Sequence, residues 1–188
     1  RIPWWREQHY YDQDGRGTWA RDGGGVLITQ AIHTLDIMLL LCGPVKEVQG
    51  MIHTSALHKL EAEDFSGALL TFESGARGTL MASTTHFPGF KEEIILNCSE
   101  ATVKISGADL KIYYHDGKLE QLESGSQTGS GSDPMDFSHA WHASVLDDFW
   151  SEFKNKQKIQ ISAESALPVH KLIDTIINSS KLGKKVII

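Results

Sequence analysis

Cysteine is scarce in this chain of 188 residues, which contains only Cys42 and Cys98. The two lie far apart and no Cys-x-x-Cys pair occurs, so the sequence indicates neither a disulfide framework nor a structural zinc site. This use of cysteine is typical of a reducing compartment. We therefore expect a cytoplasmic protein.

Long apolar runs and an excess of positive charge are also missing. The longest apolar run, residues 37–42, is far shorter than the ~20 residues that a membrane span needs, and no basic-then-apolar leader opens the chain. Acidic residues outnumber basic ones by 24 to 18, which gives a net charge of −6, whereas nucleic-acid-binding domains normally carry a basic face. We therefore expect neither a membrane nor a nucleic acid as partner.

The composition is that of an ordinary globular protein, with 40% hydrophobic and 22% charged residues. A chain of this length can bury roughly 70% of its unfolded surface in one core. We expect residues 1–188 to form a single domain. Because the first residue is arginine and not methionine, we also expect this domain to be part of a longer protein.

The residue pattern predicts an α+β fold. After a short strand and a long loop in residues 1–22, an apolar helix over residues 26–42 ends at Gly43 and Pro44. Short β-rich runs follow this helix. After them come the Gly/Ser-rich residues 124–134, which we expect to form a flexible loop, and two further helices over about 137–154 and 163–181. The predicted strands lie near 45–54, 66–73, 76–85, 92–98, 101–106, 108–115, 118–122 and 184–188. Short hairpin connections favour an open, mostly antiparallel sheet with the helices packed on one face, and no Rossmann domain.

Residues 15–20 match the dinucleotide-binding pattern G-x-G-x-x-G/A, with Gly15, Gly17 and Ala20 at its fixed positions. That pattern binds a cofactor only between a strand and the start of a helix. The preceding residues 9–14 are polar and no βαβ unit surrounds them. We therefore interpret the segment as a glycine-rich loop and expect no cofactor-binding residue in this chain.

His33 is the titratable residue of most interest on the first helix. Thr29, His33 and Asp36 fall on a narrow polar stripe of an otherwise apolar helix, which is typical of a helix that faces a cleft. An imidazole changes charge near neutral pH and can exchange a proton with a substrate hydroxyl. The alternative is a core histidine whose ring is held by Asp36.

Two other kinds of site find little support in the sequence. The nine histidines are scattered, and tight ligand spacing with a carboxylate is absent, so we expect no metal site. No Gly-x-Ser-x-Gly elbow for a nucleophile is present either. Aromatic residues and arginines are concentrated in residues 4–21, where they can stack on a sugar ring or bind an anion, or else form a plain loop packed on the sheet.

Several groups of residues, in a fixed order, carry a family resemblance. In the first part of the chain these are Tyr10-Tyr11, Arg16 to Ala20, Asp22 to Leu27, Gln30 to His33, and Asp36. Further on they are Phe87 to Phe90, Ser132 to Met135, His142, Asp148-Phe149, Ser180, Gly183 and Val186. Together they resemble the C-terminal domain of the Gfo/Idh/MocA family of NAD(P)-dependent oxidoreductases. The likeness is nearest to the branch that acts on nucleotide-linked sugars such as UDP-N-acetylglucosamine or its uronic acid.

The resemblance implies a two-domain parent enzyme. Its N-terminal Rossmann domain binds NAD or NADP and carries the catalytic lysine, and its C-terminal open sheet forms the substrate wall and an oligomer interface. This chain then corresponds to the substrate-binding and oligomerisation domain, inactive alone, with a sugar or nucleotide sugar as substrate and a homodimer or homotetramer as assembly.

Site residues follow from the same resemblance. His33 matches the family's helix histidine, which implies a role in proton transfer or in binding the substrate hydroxyl. Thr29, where the family usually has Asp or Asn, and Gln30 are expected to bind the substrate. We expect Arg16, Tyr10 and Tyr11 to hold its anionic or nucleotide portion. The competing hypothesis is a sugar-binding or assembly module without turnover.

Overall fold

The computed structural model describes residues 1–123 and 139–188. Its strands are β1 (Ile2–Pro3), β2 (Val45–His53), β3 (Phe65–Phe72), β4 (Arg77–Ser83), β5 (Glu93–Asn97), β6 (Ala101–Ser106), β7 (Asp109–Tyr114), β8 (Leu119–Leu122) and β9 (Val186–Ile187). Its helices are α1 (Gln8–Tyr11), a π-helical turn (Leu27–Ala31), α2 (Ile32–Cys42), α3 (Ala140–Lys154) and α4 (Ala163–Leu182). The predicted flexible loop, 124–134, lies outside the described residues.

The strands form two sheets, in the orders β1-β4-β3-β2-β9 and β5-β6-β7-β8. Every neighbouring pair is antiparallel except β1 with β4. Backbone hydrogen bonds from Glu93 to Arg1 and from Phe90 to Pro3 join β1 to the segment that leads into β5. The predicted α+β class with open, mostly antiparallel pairing is confirmed, although the strands divide between two sheets where we expected one.

The core lies between the five-stranded sheet and the helices α2 and α4. Alternate residues of the central strand β3 point into it, as the pleat of a strand requires. The principal buried side chains are Leu27, Leu35, Val48, Leu70, Phe72, Leu80, Leu172, Ile173 and Ile176. α4 lies directly against β2, because Gly50 has no side chain to hold it away: a Cβ there would come within 2.6 Å of the Ile176 carbonyl oxygen.

Two serines of α4 complete the hydrogen bonding of β2. β9 pairs with only the first part of β2, at Glu47 and Val48. Beyond it, the backbone N–H of Gly50 donates to Ser179 Oγ (2.9 Å) and that of Ile52 donates to Ser180 Oγ (3.0 Å). Side chains of the helix therefore satisfy half-buried donors of β2 beyond the point where β9 ends.

α3 begins at Ala140, within the predicted helix, whose first residues lie outside the described part of the chain. It buries no side chain, although the apolar residues Trp141, Val145, Phe149 and Phe153 recur every four positions along it. The predicted packing of helices on one face of the sheet is therefore confirmed for α2 and α4. α4 runs without interruption from Ala163 to Leu182, although Pro168 lies within it.

The carboxylate of Glu93 makes the stability of the fold depend on pH. Hydrogen bonding to Lys104 (2.6 Å), followed by that to Arg1, lowers the pKa of Glu93 below its ordinary value of 4.5. A carboxylate with a lowered pKa stabilises the fold above its ordinary pKa, and this contribution is lost as pH falls through the lowered value. We expect Glu93→Gln to lower the free energy of unfolding by about 1 kcal/mol at neutral pH.

Urea unfolding at several pH values measures this contribution. The difference between wild type and Glu93→Gln should shrink as pH falls below 4.5. Glu120→Gln is the control, because the Glu120–Lys118 pair lies on the exposed β8 and should contribute little. A difference for Glu93→Gln that stayed constant down to acidic pH would contradict the assignment.

Candidate active site

The first long helix begins against a buried carboxylate. Glu63, only 2% exposed, accepts hydrogen bonds from the backbone N–H groups of Gly25 (3.0 Å) and Leu27 (3.1 Å). The N–H of Val26 donates to the Glu63 carbonyl oxygen. Unpaired donors at a helix start are thereby satisfied, and an anion is held where the helix dipole favours it. Burial nevertheless raises the pKa of Glu63, because the surroundings disfavour the charged form.

Thr29 and Gln30 lie in the π-helical turn that precedes α2, a kind of turn frequently found at functional sites. The Thr29 hydroxyl lies 2.7 Å from the Gly25 carbonyl oxygen and 2.5 Å from Gln30 Oε1. Both are acceptors, so the one hydroxyl proton is used inside the helix. Thr29 can therefore offer a ligand only a lone pair.

Gln30 joins this helix to the aromatic segment at the start of the chain. Its Nε2 donates to the Tyr10 hydroxyl at 3.3 Å, and the residue is 4% exposed. The guanidinium of Arg16 lies 4.8 Å from the centroid of the Tyr10 ring and that of Arg6 lies 5.5 Å from it. We call Arg6, Tyr10 and Arg16 the arginine–tyrosine wall. Because Arg16 is exposed, the wall presents at least one positive charge to solvent beside the helix.

Tyr11 contacts Tyr10 edge to face, with ring centroids 5.1 Å apart, but its hydroxyl is used elsewhere. It lies 2.6 Å from Thr84 Oγ1, and burial raises the pKa of Tyr11 to about 12. The ring also packs at 4.8 Å from His58. Tyr11 thus supports Tyr10 from within the protein, and its hydroxyl is engaged with the scaffold.

His33 lies on α2, one turn beyond Thr29, and is exposed. In the described parts of the chain, no hydrogen bond or ion pair connects its ring to Asp36, which is also exposed. The alternative of a core histidine held by Asp36 is therefore wrong. Four of the six predicted site residues, Tyr10, Arg16, Thr29 and Gln30, form one connected group, with Tyr11 beside it and His33 on the following turn.

The glycine-rich segment at residues 15–20 is a loop, as predicted. The N–H of Gly17 donates to Asp22 Oδ2 (2.9 Å), and its carbonyl oxygen accepts from Glu61 and Ala62. No strand–turn–helix arrangement surrounds it. The amides of Arg16 and Gly17 are bonded to Gln13 and Asp22, so these two donors are not available to the pyrophosphate of a dinucleotide.

Three features of the site were missed at the level of sequence. Arg6 is 3% exposed, with its guanidinium over both Trp4 (5.1 Å) and Tyr10. Glu63 caps the helix from a distant loop. The π-helical turn replaces the first part of the expected α-helix. The dense aromatic and arginine content of residues 4–21 is the one signal that could have pointed to Arg6.

Residues 1–123 and 139–188 provide neither a cluster of metal ligands nor a membrane-spanning helix. They contain no group of three or more His, Cys, Asp or Glu side chains arranged to hold a metal ion. Among the helices of these ranges, none has both the length and the apolar character needed to cross a bilayer.

Comparison with known proteins gives a family and a fold. The family model described as GFO/IDH/MocA C-terminal domain matches residues 1–104, more than half of the chain. No curated protein sequence matches the chain.

Three solved structures illustrate the shared fold. The WlbA dehydrogenase from Bordetella pertussis, solved in complex with NADH and UDP-GlcNAcA, is 24% identical, with a TM-score of 0.77 over 98% of this chain and 51% of that one. An NAD binding oxidoreductase from Klebsiella pneumoniae is 20% identical (TM-score 0.76; 97% and 57% covered). Aldose-aldose oxidoreductase from Caulobacter crescentus, complexed with glycerol, is 18% identical (TM-score 0.75; 94% and 51% covered). This chain therefore spans about half the length of these structures.

Proposed function

This chain belongs to the GFO/IDH/MocA C-terminal domain family, and from that premise we propose that it is the substrate-binding and oligomerisation domain of an NAD(P)-dependent sugar oxidoreductase. The parent enzyme transfers a hydride between nicotinamide and a hydroxyl-bearing carbon of a sugar, and we propose a nucleotide sugar as the substrate. The observation that carries this proposal is the connected group of Arg16, Tyr10 and Gln30 beside the helix of His33.

We propose that residues 1–123 and 139–188 do not form the main binding site for NAD or NADP. In its support, the Gly17 amide of the glycine-rich loop is bonded to Asp22, and no βαβ unit surrounds this loop. We therefore propose that the remainder of the parent polypeptide binds the cofactor. This domain alone is then expected to be inactive.

Within this domain the roles divide between binding and proton transfer. A sugar hydroxyl that becomes a carbonyl loses a proton, which the exposed imidazole of His33 accepts, and in the reverse reaction the ring returns it. Gln30 and the lone pair of Thr29 bind neighbouring hydroxyl groups. The arginine–tyrosine wall binds the anionic part of the substrate, because a guanidinium binds phosphate or carboxylate oxygens with paired hydrogen bonds. Tyr11 supports the wall by packing against the ring of Tyr10.

Arg16→Ala tests the role of the wall. We expect this variant of the parent enzyme to raise KM for a UDP-linked sugar about 10- to 100-fold, because charge-assisted hydrogen bonds to the substrate are lost. KM for the nicotinamide cofactor should not change. Steady-state kinetics with UDP-N-acetylglucosamine and its uronic acid measure both constants. Arg21→Ala is the control, because Arg21 is an exposed arginine of the same loop. An unchanged KM in Arg16→Ala would remove Arg16 from the site.

Assembly is proposed to use the face of the five-stranded sheet opposite α2 and α4. Met51 on β2 and Leu69 on β3 are more than half exposed there. Side chains of this kind on an open sheet face are typical of a contact between subunits. We propose a homodimer or homotetramer joined through this face. The free thiols of Cys42 and Cys98 fit the proposed cytoplasmic location.

Leu69→Asp tests the proposed interface. We expect this variant of the parent protein to sediment as a smaller species than wild type, because a buried unpaired carboxylate disfavours association. Leu119→Asp on β8 is the control: this leucine is similarly exposed but lies in the other sheet. If Leu69→Asp sedimented as the same species as wild type, the interface between subunits would have to lie elsewhere.

A further inference from the structure

His58 is buried behind the arginine–tyrosine wall, and both of its ring nitrogens contact oxygen atoms. The residue is 6% exposed. Its Nδ1 lies 2.9 Å from Asp64 Oδ2, and its Nε2 lies 2.9 Å from the backbone carbonyl oxygen of Arg6. Asp64 is itself fully buried and is held by the backbone N–H (2.8 Å) and the hydroxyl (2.6 Å) of Ser55.

The chemistry of these partners determines where hydrogen atoms must lie. A carbonyl oxygen can only accept, so Nε2 of His58 carries a hydrogen and donates it to Arg6. On the other side, a contact of 2.9 Å between Nδ1 and a carboxylate oxygen also needs a hydrogen between the two atoms, since otherwise lone pairs would face each other. The His58–Asp64 pair therefore shares a proton in addition to the one on Nε2.

Through its hydrogen bond to Arg6, His58 contacts the chain segment that carries the arginine–tyrosine wall. The Arg6 guanidinium lies over the rings of Trp4 and Tyr10, and Tyr10 accepts the hydrogen bond from Gln30. On its other side, the His58 ring packs against Tyr11, the residue next to Tyr10. His58 thus contacts the wall segment at two points, once through a backbone hydrogen bond and once through a ring.

We propose that His58 is a positioning residue for substrate binding: by donating Nε2–H to the Arg6 carbonyl and packing against Tyr11, it fixes the arginine–tyrosine wall in the geometry that receives the anionic part of the sugar substrate. The identity of that ligand rests on the proposed function, whereas the placement of the wall by His58 is independent of the proposed function. The charged and titratable groups that contact the ring or its partners are Asp64, Arg6 and Tyr11.

The kinetic test uses the intact parent enzyme. We expect His58→Gln to raise KM for UDP-N-acetylglucosamine or its uronic acid about tenfold, because the hydrogen bond that orients the wall is lost, while kcat and KM for the nicotinamide cofactor change little. His9→Gln is the matched control, because His9 lies in the same segment but is exposed. Equal loss of affinity for sugar and cofactor, or no change in a folded variant, would overturn the proposal.

Asp64→Asn provides the conservative variant. An asparagine amide can donate to Nδ1, which leaves Nε2–H directed at Arg6, so we expect KM for the sugar to stay near the wild-type value. A purely structural role for the pair predicts instead that both variants lose sugar affinity in proportion to their loss of stability. Thermal unfolding of each variant distinguishes these outcomes.

NMR of isotopically labelled histidine ring nitrogens tests the geometry without any turnover. In the wild-type parent at neutral pH, the histidine ring whose protons show contacts to the ring of Tyr11 should have a protonated Nε2. An unprotonated Nε2 would overturn the proposal even if His58→Gln fails to fold. If no sugar is turned over or bound but Nε2 is protonated as expected, the proposed function fails while the placement of the wall by His58 stands.

Discussion

Replacing His33 by alanine in the parent enzyme is expected to lower kcat for sugar oxidation by about 10²- to 10⁴-fold, the usual contribution of a general base. The hydroxyl proton must leave as the carbon loses its hydride, and in the proposed function the His33 imidazole accepts it. KM for the sugar should change much less. The exposure of His33 and its lack of a bond to Asp36 leave the ring available for this role.

Two comparisons make the result specific. Asp36→Asn, an exposed position on the same helix, should leave kcat within about threefold of wild type if Asp36 only faces solvent. His33→Gln should restore little of the rate, because an amide cannot accept and return a proton. A full rate in His33→Ala would show that another group handles the proton.

Replacing Gly25 by alanine is expected to lower the free energy of unfolding by at least about 3 kcal/mol, because backbone atoms would have to move apart. A Cβ at this position would lie 1.8 Å from the carbonyl oxygen of Glu63 and 2.7 Å from its backbone nitrogen. The same close approach allows the Glu63 carboxylate to bind the helix start. The substitution therefore also displaces Thr29 and Gln30.

Urea unfolding followed by tryptophan fluorescence measures this effect. Gly67→Ala is the matched control, since a Cβ at Gly67 on β3 meets no atom closer than 3.8 Å. We expect it to change stability by less than about 1 kcal/mol. Equal stabilities for the two variants would mean that the backbone at Gly25 can move away from Glu63 at little cost.

Local patterns in the sequence predicted most of the fold. The β-rich runs between residues 45 and 122 correspond to β2 through β8 within a few residues, because alternation and hairpin residues are local signals. α2 and α4 were likewise evident from their apolar faces. The division into two sheets was not, because it depends on how β1 fits between β4 and the segment leading into β5.

The candidate site was predictable only in part. Residue types and order indicated Tyr10, Arg16, Gln30 and His33. The capping of the helix by Glu63 and the hydrogen bond from His58 to the Arg6 carbonyl join residues far apart in the chain. No local periodicity reports such contacts. The π-helical turn also depends on this environment, since the sequence of residues 27–31 is compatible with an ordinary α-helix.

The most direct test of the account is a dehydrogenase assay on the full-length parent and on this 188-residue chain, followed by the absorbance of reduced nicotinamide with a panel of UDP-linked sugars. We predict turnover of at least one UDP-linked sugar by the parent and none by the chain alone. Absence of turnover by a folded, cofactor-loaded parent would contradict the proposed catalytic role and favour a sugar-binding or assembly module.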